Sequence, residues 1–339
     1  MNKPRIGIIP GDPAGIGPEL IARLLASEDV AKAADILLIG DAHVFEAGAE
    51  IAALPFDMVP VDPSQEWVVA ESGAFAHDAM DTIAPDQVTL AAVSEPCGTS
   101  VLRTLDRALA LAQAGQIDAI VFGPFNKAAM HLAGLGHEDE LHYMAEKLGV
   151  TGYVSELNTL DGMWTSRVTS HIALRDVADT ITGSRVEDAV HLIDRTLRRS
   201  GLARPRIAVA ALNPHAGDGG NFGREEIETL TPVVEKLAAR QMALTGPWPS
   251  DTVFLKAVRG DIDAVVTMYH DQGQIALKLL GFDRGVTVQG GLPVPVTTPA
   301  HGTAFDIAGT GRADVGAIRA AFDIACKMVT HWNTDTGAT

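Results

Sequence analysis

The chain has 339 residues, of which 47% are hydrophobic and 20% are charged, and its formal net charge is −17. This is the composition of a globular protein long enough for two domains or one large domain, and its acidity without a basic stripe disfavours nucleic-acid binding. The sequence shows no signal peptide and no apolar run of the roughly 18 residues that are needed to cross a membrane. It contains only two cysteines, which is typical of a reducing compartment. The sequence therefore predicts a cytoplasmic protein without a membrane partner.

Short apolar segments alternate with helical patterns along the chain. The predicted strands are 5–10, 36–40, 117–122, 167–171, 206–212 and 261–270. The predicted helices are 18–26, 42–52, 98–114, 184–199, 224–240 and 315–328. Because strands that alternate with helices form mainly parallel sheets, the sequence predicts an α/β fold.

A glycine-rich segment, Gly11-Asp-Pro-Ala-Gly15-Ile-Gly17-Pro-Glu19, joins the first strand to the first helix. Free amide groups at such a turn can bind an anion or a cofactor. The spacing is not that of the dinucleotide fingerprint, however, and a tight turn can need glycine for steric reasons alone. Both interpretations are open at this point.

Three histidines, His171, His215 and His270, each follow a β-like run. In a parallel sheet, the ends of such runs meet at one edge, where α/β proteins place their ligands. Three neutral imidazoles around an open position are a ligand set for Zn²⁺ or a similar divalent ion, which would act as a Lewis acid. A single histidine at a strand end usually caps a carbonyl or faces solvent, but three in one pattern favour a metal site.

Three further residues are predicted to be catalytic: Lys278, Asp271 and Asp251. Asp271 adjoins His270, and Lys278 follows shortly afterwards. A lysine beside a cation loses proton affinity, so Lys278 could anchor a substrate anion or exchange a proton. Asp251 could equally cap a helix that begins near Val253.

The motifs together resemble a known family. The glycine-rich turn, Gly123-Pro-Phe-Asn-Lys127, Asn213-Pro-His-Ala-Gly217, Tyr269-His-Asp-Gln-Gly273 and His301-Gly-Thr-Ala-Phe-Asp-Ile-Ala-Gly309 look like those of 4-hydroxythreonine-4-phosphate dehydrogenases of vitamin B6 synthesis. They occur in the expected order over nearly the whole chain. The last loop also resembles the cofactor loop of isopropylmalate and isocitrate dehydrogenases.

The resemblance implies two α/β domains with mainly parallel sheets flanking a central active-site cleft. One domain would comprise residues 1–126 and 272–339 and the other residues 127–271. It also implies a homodimer with its active site at the subunit interface, a divalent metal (Zn, Mg, Mn or Co) on the three histidines, and Lys278 as a substrate ligand. The NAD or NADP cofactor would contact His301, Gly302, Thr303, Ala304, Asp306 and Gly309.

The implied reaction is oxidation of a small hydroxy acid, a secondary alcohol β to a carboxylate, followed by loss of CO₂. Three departures from the family pattern affect the substrate site. A Gly-His-Thr-Glu segment of the family falls on Asp139-Glu140-Leu141-His142 by ungapped count, or on Gly136-His137-Glu138 in a shifted register. A family asparagine and arginine fall on Thr287 and Val296.

These departures remove a bidentate phosphate donor and add carboxylates that repel a phosphate dianion. The predicted substrate contacts are His137, Glu138, Glu140, Lys278, Thr287 and Val296. The sequence thus predicts an unphosphorylated hydroxy acid or diol as substrate. Three alternatives remain: an authentic 4-phosphohydroxy-L-threonine dehydrogenase of pyridoxal phosphate synthesis, a non-redox metal-dependent lyase, and a non-catalytic binding protein. Retention of the whole loop over residues 301–311 argues against the lyase, and this loop together with the three ligand histidines argues against a binding protein.

Overall fold

The computed structural model describes residues 3–62, 64–65, 67, 73–281 and 284–332. The chain has the predicted α/β fold and forms two compact units. The first unit comprises Met1–Thr151, Val286–Val288 and Leu292–Thr330, and the second unit comprises Gly152–Gly285, Gln289–Gly291 and His331–Thr339. The domain division after residues 126 and 271 stays a prediction, and part of its last segment, residues 333–339, lies outside the described residues.

The strands of the described residues are β1 (Arg5–Ile9), β2 (Asp35–Gly40), β3 (Met58–Pro60), β4 (Phe75–Ala79), β5 (Ala119–Phe122), β6 (Ser155–Leu160), β7 (Met163–Arg167), β8 (Arg206–Ala210), β9 (Ala243–Trp248), β10 (Ala264–Thr267), β11 (Val286–Gly290) and β12 (Val296–Pro299).

The α-helices are α1 (Gly17–Leu25), α2 (Glu28–Ala33), α3 (Ala42–Ala52), α4 (Glu95–Gln113), α5 (Lys127–Leu132), α6 (Glu140–Lys147), α7 (Val177–Thr180), α8 (Gly183–Arg199), α9 (Thr231–Ala238), α10 (Ser250–Val258), α11 (His270–Gly281) and α12 (Gly316–His331). Among the helices of the described residues, none combines the length and the apolarity that crossing a bilayer demands.

In the first unit the strands pair in the order β3, β4, β2, β1, β5, β12 and β11. These neighbours are parallel except for β11 and β12, which are antiparallel. Ile6, Ile8 and Ile9 of β1 are fully buried, as expected where both faces of a parallel sheet are covered. Because β1 and β12 run in the same direction, the glycine-rich turn and the 301–311 loop leave the same edge of the sheet.

In the second unit the strands pair in the order β6, β7, β10, β8 and β9. The pair β6–β7 is antiparallel, and the other neighbours are parallel. Arg167 of β7 lies opposite Thr267 of β10, and Val209 of β8 lies opposite Val266. The carboxyl ends of these three strands therefore meet at one edge, and the segments that carry the three predicted ligand histidines leave from it.

Three predicted elements differ from the structure. The strand predicted over 261–270 is limited to β10, and His270 is instead the first residue of α11. The strand predicted over 167–171 ends at Arg167, because the amide of Ile172 donates to the carbonyl oxygen of Ser170 (3.0 Å) and closes a turn. The helix predicted over 224–240 begins instead with a π-helical turn over Glu226–Leu230 and continues as α9. Hydrophobic periodicity alone does not distinguish these local geometries from regular elements.

Candidate metal and active site

The rings of His171 and His270 lie side by side, with centroids 5.7 Å apart and planes inclined by 48°. The parallel pairing of β7 with β10 brings the two histidines together, because the hydrogen bonds between the two segments continue beyond the ends of both strands. The amide of Val168 donates to the carbonyl of Thr267 (2.9 Å), and that of Thr169 donates to Met268 (3.1 Å). Two of the three predicted metal ligands therefore share one edge of the second unit.

His270 is the first residue of α11, and its ring is oriented by the next side chain. Nδ1 of His270 donates to Oδ1 of Asp271 over 2.7 Å. A carboxylate on one ring nitrogen fixes the tautomer and leaves Nε2 with a lone pair for a cation. Asp271, predicted to be catalytic, thus lies where a partner of a metal-bound imidazole is expected.

His215 follows β8 in a run of left-handed backbone. The φ angles of residues 215 to 219 are 53°, 54°, 77°, 45° and 65°. Only two of these five residues are glycines, and each other residue costs about 1–2 kcal/mol in this conformation. Strain of this kind concentrates at functional sites. The ring of His215 lies 6.2 Å from that of Phe222.

The donor set fits a divalent ion, but one chain does not assemble it completely. Three imidazoles suit Zn²⁺ or Co²⁺, and the rings of His171 and His270 lie 5.7 Å apart between centroids. The ligand nitrogens of the three histidines, all of them described residues, do not lie within 4.8 Å of one another.

Gln272 ties two of the strand ends together. Its Oε1 accepts from the amide of Met268 (2.7 Å), and its Nε2 donates to the carbonyl of Ala211 (2.8 Å). The ends of β10 and β8 are thereby held at a fixed spacing just before His270 and His215. The sequence analysis assigned no role to this amide, although its place in the His-Asp-Gln-Gly motif was a signal.

Lys278 and Asp251, the other predicted catalytic residues, both lie on helices of the second unit. Lys278 is exposed in α11, about two turns beyond His270. Asp251 is exposed in the first turn of α10, whose N-cap is Pro249 and has no side-chain cap bond. The interpretation of Asp251 as a helix cap is therefore wrong, and its catalytic role stays a prediction.

The 301–311 loop of the first unit packs against the glycine-rich turn. The amide of Ile16 donates to the carbonyl of Thr303 (3.1 Å), and a Cβ at Gly15 would lie 2.9 Å from Cβ of Thr303. The amides of Ala14 and Gly15 bond within the turn, to Oδ1 (2.8 Å) and the carbonyl oxygen (3.0 Å) of Asp12. These contacts favour the steric interpretation of the glycines over an anion site.

Buried Glu19 of α1 holds the far end of the same loop. Its Oε1 accepts from the amide of Ala313 (2.9 Å) and from Nε of Arg23 (2.9 Å), and Nη2 of Arg23 donates to the carbonyl of Gly311 (2.5 Å). The loop is thus anchored at both ends and pre-formed. Of the predicted cofactor-binding residues, Thr303 makes the first of these contacts, Ala304, Asp306 and Gly309 lie between the anchors, and His301 and Gly302 precede them.

Asp12 in the glycine-rich turn is a functional candidate that the sequence analysis missed. The residue is completely buried, and its Oδ2 has no hydrogen-bond partner in the described residues. Burial raises the pKa of Asp12 to about 6, and the amide of Ala14 offsets only part of that rise. The signal depends on tertiary burial, which the spacing of the motif does not reveal.

The predicted substrate segment around 136–142 is acidic but internally paired. Oε2 of Glu140 lies 3.6 Å from Nζ of Lys127, and Nε2 of His137 lies 2.7 Å from a carboxylate oxygen of Glu146. Asp139 caps α6 by accepting from the amide (2.9 Å) and Nδ1 (2.7 Å) of His142. Burial works to raise the pKa of Asp139, but these bonds hold it below its usual value.

The remaining predicted substrate contacts lie on strands or in the open. Val296 of β12 is completely buried and offers no polar group, while Thr287 of β11 is 8% exposed. Glu138 is exposed in the segment before α6. The contacts that these side chains make with substrate stay predictions.

Known proteins resemble the chain over nearly its whole length. The sequence family described as pyridoxal phosphate biosynthetic protein PdxA matches residues 32–325. A Pseudomonas aeruginosa protein named "Putative 4-hydroxythreonine-4-phosphate dehydrogenase 2" is 54% identical over 331 residues, which are 97% of this chain and 98% of that one.

Two solved structures extend the comparison. The 4-hydroxythreonine-4-phosphate dehydrogenase of Klebsiella pneumoniae superposes with a TM-score of 0.84 at 37% identity, covering 97% of this chain and 98% of that one. A terephthalate 1,2-cis-dihydrodioldehydrogenase of Burkholderia xenovorans superposes with a TM-score of 0.67 at 29% identity, covering 96% and 98%.

Proposed function

Because the chain belongs to the family of pyridoxal phosphate biosynthetic protein PdxA, we propose that it oxidises a small hydroxy acid, with decarboxylation, at a metal site formed by His171, His215 and His270. The chain is an oxidoreductase acting on CH–OH groups, and metal-dependent NAD-linked oxidation is the general activity of the family. The observation that carries the proposed site is the adjacency of His171 and His270 at 5.7 Å between ring centroids.

Each group has a distinct role in the proposed reaction. A divalent ion bound by the histidines would supply Lewis-acid polarisation of the substrate oxygen. Asp271 holds Nδ1 of His270 and so keeps Nε2 available. Lys278 anchors the substrate carboxylate or exchanges the hydroxyl proton. The 301–311 loop, which is anchored at both ends, binds NAD⁺ or NADP⁺. Because its backbone is already ordered, binding carries no entropic cost for ordering the loop.

The proposed substrate is an unphosphorylated hydroxy acid or diol. Glu140 lies 3.6 Å from Lys127 and so partly neutralises the cation that a phosphate would need. Glu138 adds an exposed negative charge, and Val296 supplies no guanidinium. The relative from Burkholderia xenovorans, named for a dihydrodiol of terephthalate, acts on a compound without phosphate, which supports a changed substrate. The alternative is the unmodified 4-phosphohydroxy-L-threonine dehydrogenase activity.

The proposed active unit is a homodimer whose metal site contains histidines of both subunits. Support comes from the incomplete triad of a single chain and from the apolar surface of α11, the helix that carries His270. Ile275, Leu279 and Leu280 of this helix are exposed by 60%, 83% and 41%. Exposed apolar patches of this kind mark interaction surfaces.

A cytoplasmic location is proposed as well, since Cys97 and Cys326 are both free thiols.

A substrate screen read by nicotinamide absorbance tests this proposal. We expect turnover of unphosphorylated hydroxy acids or diols, and a kcat/KM for 4-phosphohydroxy-L-threonine at least about 100-fold lower, because each lost charge-assisted hydrogen bond is worth roughly 1.5–3 kcal/mol. Glu138→Thr, which restores the family residue of the shifted register, should raise kcat/KM for the phosphorylated compound.

Glu235→Thr is the matched control, because it removes an exposed charge from α9 and should leave both activities unchanged. Turnover of 4-phosphohydroxy-L-threonine in preference to every unphosphorylated candidate would refute the altered substrate. In that case the alternative activity would be established.

A further inference from the structure

A buried carboxylate lies beneath the loop that carries His215. Glu226 is only 2% exposed, although glutamate is rarely buried unless it is well bonded. It opens the π-helical turn of Glu226–Leu230 that leads into α9. Turns of this type are rare and frequently lie at functional sites.

Both oxygens of Glu226 bond to the segment just before His215. Oε1 accepts from the amides of Leu212 (2.9 Å) and Asn213 (2.8 Å), and Oε2 accepts from Nδ2 of Asn213 (2.9 Å). Hydrogen bonds to an ionised acceptor are roughly twice as strong as neutral ones. The carboxylate therefore fixes the point where the chain leaves β8.

The same carboxylate contacts the loop just after His215. A Cβ at Gly217 would lie 2.7 Å from Oε2 of Glu226, so only glycine fits there without displacing the carboxylate. Glu226 thus lies against both the entry and the exit of the turn that holds His215.

The turn needs such support because its backbone is strained. His215, Ala216 and Asp218 all have left-handed φ angles, between 45° and 54°. Since each costs about 1–2 kcal/mol, the segment would relax into a commoner conformation if it were not held from outside. Relaxation would change the orientation of the imidazole that the proposed metal site requires.

We propose that Glu226 is a positioning residue for the metal site. It holds His215 in the orientation that binds the cation, without itself touching metal or substrate. This inference rests on the proposed function, in which His215 is a ligand. It predicts that metal affinity depends on Glu226 even though the carboxylate bonds to Asn213, two residues before His215.

The test is a Co²⁺ titration of the full-length apoprotein, followed by the visible d–d absorption of the bound ion. In Glu226→Gln the amide nitrogen would face Nδ2 of Asn213, which is also a donor, so this hydrogen bond is lost and the segment before His215 is held less firmly. The Kd for Co²⁺ should rise about 10- to 100-fold, as is usual when a partner behind a metal ligand is lost, and the d–d spectrum should change. Glu226→Asp, which keeps the charge with a shorter reach, should give an intermediate Kd.

Glu225→Gln is the matched control. Oε2 of Glu225 accepts from the same Asn213 amide (2.7 Å), but its side chain is only half-buried. This variant should change the Kd less than threefold. The loop proposed to bind NAD⁺ belongs to the first unit. The affinity for NAD⁺ should therefore be unchanged in all these variants, and an unchanged affinity shows that the variants are folded.

The variant His215→Ala separates the positioning role of Glu226 from the proposed metal site itself. It should weaken Co²⁺ binding by well over 100-fold, and wild-type affinity in this variant would refute the proposed metal site itself. A large loss in His215→Ala together with an unchanged Kd and spectrum in Glu226→Gln would overturn the positioning role alone. If Glu226→Gln does not fold, an unchanged Kd in Glu226→Asp has the same meaning.

Discussion

Replacing His270 with alanine should lower kcat/KM at least about 1000-fold and abolish tight binding of a divalent metal. A metal that polarises the reacting oxygen contributes several kcal/mol to transition-state stabilisation, and about 4 kcal/mol corresponds to this factor. Among the proposed ligands His270 has the best-defined surroundings, with His171 beside it at 5.7 Å and Asp271 on Nδ1 at 2.7 Å. Steady-state nicotinamide kinetics and the metal content of the dialysed protein provide the measurement.

His191→Ala is the control for this prediction, because His191 lies in α8 of the same unit and is half-buried without a proposed role. It should retain the wild-type metal content and kcat. Normal activity and metal content in His270→Ala would show that the imidazole faces the strand edge for another reason, and the metal site would then have to lie elsewhere.

Replacing Asp12 with asparagine should increase the free energy of unfolding at pH 8 by up to about 3 kcal/mol. The carboxyl has a pKa of about 6 in the folded chain against 3.8 as the ordinary value. A raised folded-state pKa means that the folded chain holds the proton more tightly. The stabilisation is complete below pH 3.8 and is lost as the pH rises through about 6. Asparagine stays neutral and keeps an oxygen for the Ala14 amide.

Urea unfolding at pH 4 and pH 8 measures this effect. The variant should lose the fall in stability that the wild type shows between these two values, so the difference between the two proteins should be small at pH 4 and large at pH 8. Asp86→Asn, at an exposed carboxylate, should change stability by less than about 0.5 kcal/mol at either pH. An Asp12→Asn variant no more stable than the wild type at pH 8 would contradict the burial argument.

Local patterns were sufficient for much of the fold. The helix predicted over 42–52 matches α3, and the apolar runs at residues 5–10 and 36–40 form β1 and β2, because fully buried parallel strands carry continuous apolar sequences. The prediction that His171 and His270 would meet also depended only on a parallel sheet. The pairing of β7 with β10 confirms that premise.

The supporting residues could not be found in the same way. Glu226 acts on Leu212 and Asn213 through a fold of the chain that no short motif encodes, and the pKa of Asp12 is raised by burial. Asp251 resembled a helix cap, but α10 begins at Ser250, so Asp251 is already inside the helix. Each case depends on tertiary placement or on a one-residue boundary, to which local propensity is insensitive.

The most direct test of a metal site shared between subunits is complementation between two inactive variants, His215→Ala and His270→Ala. Each should be inactive alone. If His215 and His270 reach one cation from different subunits, a mixed dimer regains one intact site, and random reassociation should restore about a quarter of the wild-type activity. Mixtures that remain as inactive as the separate variants, although subunit exchange is demonstrated, would contradict a site built from the histidines of two chains.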